Sequence, residues 1–219
     1  MHIEQARTNM IAQQIRGGGG VRSQDVLDLL EVVKREHFVP TAYAGFACAE
    51  VEIPLPCGEN MFKPMVEARI LEAVAIKTHE RVLEIGAGSG YMAALLAHRA
   101  RHVTTVEIEP ELKALAEKNL AGYDIANVNV VLGNGAQGWR GGDEAFDVIV
   151  ISGSLPVLPE VFLRQVRVGG RIAAFIGEAP LMVAQITTRT SGTTYDTVKL
   201  FETDVKPLRG ADALHRFRL

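Results

Sequence analysis

The chain is predicted to be an α/β protein built on a doubly wound, mostly parallel sheet. Three observations predict it. From residue 81 onward, apolar runs of strand length alternate with segments of helical period. The first such run ends in glycines at alternate positions, Gly86, Gly88 and Gly90, directly before a helical pattern that opens at Tyr91. The last two β-rich runs, 182–190 and 194–204, flank Ser191-Gly192-Thr193, a turn signal that adds an antiparallel hairpin to the sheet.

Before residue 81 the pattern is different. Residues 1–20 read as a helix from Ile3 to Ile15 that ends in Gly17-Gly18-Gly19-Gly20, a flexible joint. Val26, Leu27, Leu29, Leu30 and Val33 recur with helical period after Ser23, the expected N-cap, and Glu36 to Pro40 ends that helix. Residues 41–64 are proline-rich and read as mostly irregular. Met65 to Ile76 is an amphipathic helix with Met65, Val66, Ile70, Ala73 and Val74 on its buried side. Strands are then expected at 81–85, 102–107, 128–132, 146–152 and 171–176, with helices near 91–100, 110–121 and 158–167. Residues 1–80 thus form a helical and irregular cap on a sheet domain of residues 81–219, the two making one unit.

Composition narrows the class. A 219-residue chain that is 47% apolar can bury a layered core. A net charge of −3 gives no footprint for nucleic-acid backbone binding. No apolar run is long enough to span a membrane, and the N-terminus has no secretory pattern, so a cytoplasmic protein is expected. Cys48 and Cys57 read as reduced thiols. No metal is expected: the six histidines make no H-E-x-x-H pattern, and His98 and His102 straddle a helix end and a strand start.

The glycine loop says which ligand to expect. A dinucleotide fingerprint needs G-x-G-x-x-G, but here Tyr91 holds the place of the third glycine. The Gly-Lys-Ser/Thr of a P-loop is absent, and Ala87 and Tyr91 flank Ser89 where a nucleophile elbow requires glycines. Glu84 gives the mouth of the turn a negative bias. Glu107, with Ile108 beside it, ends the second strand 17 residues after Gly90, where a carboxylate accepts hydrogen bonds from a ribose diol. An acidic loop with no phosphate cradle suits a cationic nucleoside without phosphates, and S-adenosyl-L-methionine is that ligand. Glu84, Gly86, Ala87, Gly88, Ser89, Gly90, Glu107 and Ile108 are its expected contacts. Gly133-Asn134-Gly135, after the third strand, adds an adenine site in which Asn134 offers both acceptor and donor.

With these residues in place, the chain resembles the protein-L-isoaspartate O-methyltransferase family. The likeness runs through Met10-Ile11, Gln14-Ile15, Arg35-Glu36-His37-Phe38-Val39-Pro40, Ile53-Pro54-Leu55-Pro56, Gly58 and Pro64. It continues through Val82 to Tyr91, Glu107, Gly133 to Gly135, Gly138-Trp139, Phe146-Asp147, Pro159, Gly169-Gly170-Arg171, Val205 and Pro207-Leu208. The resemblance implies the methyltransferase variant of the doubly wound fold and methyl transfer to the carboxylate of isoaspartyl residues in damaged proteins, a repair step. Its partner is a peptide or protein substrate.

One segment departs from the family. Where relatives read Gly-Gln-Thr-Ile-Ser-x-Pro, this chain reads Gly58-Glu59-Asn60-Met61-Phe62-Lys63-Pro64, so a phenyl ring replaces the hydroxyl beside the substrate carboxylate. Asn60, Phe62, Lys63, Ser152 and Ser154 are the candidate substrate-side residues; no residue is assigned as catalytic. The pattern leaves open a divergent methyltransferase with another acceptor and a cofactor-binding protein without turnover. It does not fix the oligomeric state.

Overall fold

A computed structural model describes residues 2–139 and 145–211, so residues 212–219, the end of the expected sheet domain, lie outside the described residues. Helix α1 (Ile3–Asn9) runs on without a break as a π-helical segment, Met10–Gly18, ending where Gly19 N–H reaches back five residues to Gln14 O at 2.7 Å. The expected glycine joint is therefore half helix. Nor is Gly19 in open space, since a Cβ there would overlap Met65 Sδ. Gly19 lets the end of the first helix lie close against the helix that begins at Pro64.

Helix α2 (Gln24–Val32) starts after Ser23 as expected, but its cap comes from elsewhere. Glu72 Oε1 accepts the N–H groups of both Arg22 and Ser23 at 2.7 Å. The helix ends at Val33, and Arg35–His37 form a separate 3₁₀ turn. The segment read as irregular holds a 3₁₀ turn at Thr41–Phe46 and a two-stranded ladder, β1 (Ile53–Pro54) against β2 (Asn60–Met61). Helix α3 (Pro64–Val74) follows, with proline at its first position and Ala75 in the left-handed region as its stop.

The sheet is built from β3 (Arg81–Ile85), β4 (His102–Glu107), β5 (Val128–Leu132), β6 (Phe146–Leu155), β7 (Val166–Glu178), β8 (Leu181–Arg189) and β9 (Tyr195–Thr203), in spatial order β5-β4-β3-β6-β7-β8-β9. Strands β5 to β7 pair in parallel in that order, while β7–β8 and β8–β9 are antiparallel, so the expected hairpin is present. Helices α4 (Tyr91–Ala97), α5 (Pro110–Gly122) and α6 (Glu160–Gln165) connect the parallel strands. Two expectations were short: β6 continues three residues past 152 and β7 begins five residues before 171. Pairing of Phe146 with Val166 recruits residues that the sequence marks as the end of a helix.

The order reverses at β3, whose two neighbours lead away in opposite directions, and that switch point opens a crevice at the carboxyl ends of the strands. The cap closes over it. Met10, Ile15, Leu30 and Phe38 share one buried cluster with Tyr91, Leu95, Val150 and Phe175 of the sheet layer. Arg171 fastens α3 to β7, donating to Val74 O and Ala75 O and pairing with Glu80 at 2.7 Å.

Candidate active site

The crevice is a cleft of about 840 Å³, counting its open mouth, a size suited to a small-molecule ligand. Its floor is the turn after β3. Gly88 has φ +54°, and its N–H donates to Glu107 Oε2 at 2.9 Å. A Cβ at Gly88 would point across the crevice, 3.4 Å from Leu55 Cδ1 in the cap. Glu107 also accepts the Glu109 N–H on Oε1 at 3.0 Å. Each carboxylate oxygen keeps further acceptor capacity, and the residue lines the cleft while only 4% exposed.

Glu84 is a different kind of carboxylate from the one expected. It is fully buried between the neighbouring strands, accepting Thr105 Oγ1 on Oε2 at 2.6 Å and Ser152 Oγ on Oε1 at 3.1 Å. Burial pushes its carboxyl up to about 8, against the two hydroxyls that stabilise the charged form. It therefore holds a proton through much of the neutral range and gives the mouth of the turn no negative bias. Central position in the sheet explains this, because β4 and β6 cover β3 on both edges.

Most of the sequence-assigned positions gather here, and some do not. Glu84, Gly86, Ala87, Gly88, Ser89, Glu107, Ile108, Gly133 and Gly135 line the cleft, as do Asn60, Phe62 and Ser152. Gly90 faces away, with Ala116 of α5 only 3.2 Å from where its Cβ would be, so its role is helix packing. Asn134 turns its Oδ1 to the Ala136 N–H at 3.0 Å and packs against Gly210. That local turn leaves its amide off the lining. Lys63 is exposed at the N-cap of α3. Ser154 is buried, donates its hydroxyl to Val205 O, and bonds through its backbone to Lys206 and Leu208.

The cap side is held by long-range contacts. Arg35 is buried, donating to Ala47 O at 3.0 Å and Phe62 O at 2.5 Å, with Nε 3.3 Å from Glu67 Oε2. Burial raises the Glu67 carboxyl above the ordinary range, and Arg35 restrains that rise. The Phe62 ring turns onto β7, edge-on to Phe175 at 5.2 Å. The mouth is crossed by Lys206 to Arg209. Arg209 pairs with Glu59 and, at 2.5 Å, with Glu109, and it donates to Cys57 O, while Lys206 donates to Gly58 O. The sequence reading missed Glu67, Lys206 and Arg209. A charged side chain between Val66 and Ala68 on a cap helix was the signal for Glu67; a lone Lys and a lone Arg near a chain end carry none.

Fold and crevice together define a doubly wound α/β protein with a ligand-sized cleft at its switch point. Comparison with known proteins makes that specific. The model of the protein-L-isoaspartate(D-aspartate) O-methyltransferase family matches residues 5–203, and the chain belongs to that family. It is 36% identical over 187 residues to a protein-L-isoaspartate O-methyltransferase of Koribacter versatilis, covering 85% of this chain and 83% of the relative. It is 40% identical over 171 residues to protein-L-isoaspartate O-methyltransferase 1 of Rhodopseudomonas palustris, covering 78% and 69%. Among solved structures, a Plasmodium falciparum protein described as a protein-L-isoaspartate O-methyltransferase, in complex with S-adenosyl-L-homocysteine, superposes with a TM-score of 0.80. That match spans 93% of this chain and 98% of the other at 18% identity, and it speaks for the fold.

Proposed function

We propose that the chain is an S-adenosylmethionine-dependent O-methyltransferase that esterifies the free carboxylate of isoaspartyl residues in damaged proteins. Family membership over residues 5–203, with the Glu107–Gly88 crevice in place, carries this reading. The donor set fits the cofactor. A carboxylate with unused acceptor capacity suits a ribose diol, a glycine turn lets a ligand lie on the backbone, and Gly133 and Gly135 leave room for a flat ring. When bound, the cofactor supplies a methyl group on a sulfonium, already activated toward displacement.

The chain's own residues then have to hold and to exclude. Glu107 would hold the ribose, and the turn from Gly86 to Ser89 would support the ligand from below. An isoaspartyl carboxylate is ionised at neutral pH, so it needs no general base. This agrees with Ser152, whose hydroxyl is committed to Glu84. The cap ladder and the 206–209 strap border the mouth, and holding the two reactants in position there would do the catalytic work. Asn60 offers an amide on the acceptor side, where Phe62 offers none. The free thiols Cys48 and Cys57 support a reducing cytoplasmic setting. Among the described residues no helix is long and apolar enough to cross a membrane.

Matched peptides differing only in an isoaspartyl or aspartyl residue, incubated with methyl-labelled cofactor, test the proposal. Label is expected on the isoaspartyl peptide alone; label on neither overturns the acceptor. Phe62 favours one second reading, a relative that has turned to a more apolar acceptor. That reading requires cofactor binding, no label on either peptide, and recovery of isoaspartyl labelling in Phe62→Ser.

A further inference from the structure

Four carboxylates line the crevice: Glu59, Glu67, Glu84 and Glu107. Three are engaged by donors of the chain itself. Arg209 meets Glu59, two hydroxyls meet Glu84, and two backbone N–H groups meet Glu107. Glu67 is different. The residue is 3% exposed, yet its Oε2 has no hydrogen-bond partner. Arg35 Nε, likewise without a hydrogen bond, lies 3.3 Å away as its ion-pair partner, which leaves Glu67 Oε2 with charge beside it and acceptor capacity unused. The other guanidinium nitrogens are committed to Ala47 O and Phe62 O, so only Nε faces Glu67. A buried acceptor left unmet calls for a donor from elsewhere.

The sheet order says where that donor enters. Glu107, Gly133 and Gly135 close β4 and β5, on one side of central β3. Glu67 belongs to α3, which packs on β7 at the other side, and Phe62, before that helix, meets Phe175 of β7 edge-on. A ligand with its ribose on Glu107 reaches the cap end with whatever its ribose carries. For an adenosyl amino acid, that part is an amino-acid arm bearing a primary ammonium.

We propose that Glu67 is the crevice's receptor for a cationic N–H donor, and that the donor is the α-ammonium of the cofactor's amino-acid arm. The inference rests on the cofactor reading above. The ammonium gives the unmet oxygen a charge-assisted hydrogen bond, and Arg35 holds the carboxylate in place for it. An amide or amine N–H of the acceptor peptide is the other source of the same chemistry. A counterion that serves Arg35 alone would have no dependence on the ligand's amine.

The test is calorimetric titration of the wild-type protein and Glu67→Gln with S-adenosylhomocysteine and with its deaminated analogue. In the wild type, loss of the amine is expected to weaken binding about tenfold or more; in Glu67→Gln the two ligands should bind within about twofold of each other. An equal amine penalty in both proteins overturns the proposal. If Glu67→Gln does not fold, the wild type still decides, because equal affinity for both ligands also overturns it. If the amine has no effect and Glu67→Gln instead raises the KM for the isoaspartyl peptide about tenfold, the cofactor assignment falls and the acceptor is the donor. No binding of S-adenosylhomocysteine to the folded wild-type protein rejects the cofactor reading itself, a result distinct from all of these.

Discussion

The two ends of the crevice are made in different ways. The end over β4 and β5 is main chain: a glycine turn, strand tips, and a carboxylate clamped by two backbone N–H groups. The end under the cap is side chain. There, Arg35 pairs with Glu67, Arg209 pairs with Glu59, and Lys206 donates to Gly58 O, contacts that join segments up to about 150 residues apart. Backbone geometry tolerates little change and loses binding outright when broken. The pairs at the mouth can be lost one at a time, so this half has more room to diverge.

Substitutions at each end should sharpen that contrast. The largest effect is expected for Gly88→Val. A β-branched residue at φ +54°, with its Cβ directed across the crevice at Leu55, should abolish S-adenosylhomocysteine binding in calorimetry while the protein stays folded by circular dichroism. Retained binding would mean the ligand lies elsewhere. Glu107→Ala comes next, removing a charged acceptor from the ribose and costing about 1–3 kcal/mol of ligand affinity.

The third effect concerns the floor without any ligand. The Glu84 carboxyl is raised to about 8 from an ordinary 4.5, so the folded state holds a proton that the unfolded chain releases. Its stabilising contribution is complete below the ordinary value and is lost as pH rises toward 8. Urea denaturation between pH 5 and pH 8 should show stability falling by on the order of 1 kcal/mol per pH unit from this group, and Glu84→Gln should flatten that slope. An unchanged slope in the variant would remove Glu84 as its source. The smallest effect belongs to the strap. Arg209→Ala should speed dissociation of S-adenosylhomocysteine by only a few-fold, and raised salt should produce the same change in the wild type, since these ion pairs face water.

What was legible in the sequence follows the same division. The turn at 85–91, the acidic strand tip at Glu107 and the hairpin at 191–193 are set by residues adjacent in the chain, and the fold carries all three. Asn134 spends its Oδ1 on the Ala136 N–H, a local turn bond that the sequence does not show, because a short amide next to glycine can serve its own backbone as well as a ligand. The charge of Glu84 was misread because only the sheet order reveals how completely β4 and β6 enclose β3. The strap could not be read at all, since Arg209 meets Glu59 only after the cap and the last strand come together. Gly17 and Gly18 look like a hinge by composition, yet they continue the π-helical segment, and the next residue, Gly19, is the one packed against Met65 of α3.

The most direct test of the account is a crystal structure of the protein grown with S-adenosylhomocysteine. The account predicts ligand density with the ribose hydroxyls on Glu107, the base beside Gly133 and Gly135, and the amino-acid arm running under the cap toward Glu67. A well-ordered protein with an empty crevice under saturating ligand, or with the ribose away from Glu107, would contradict it.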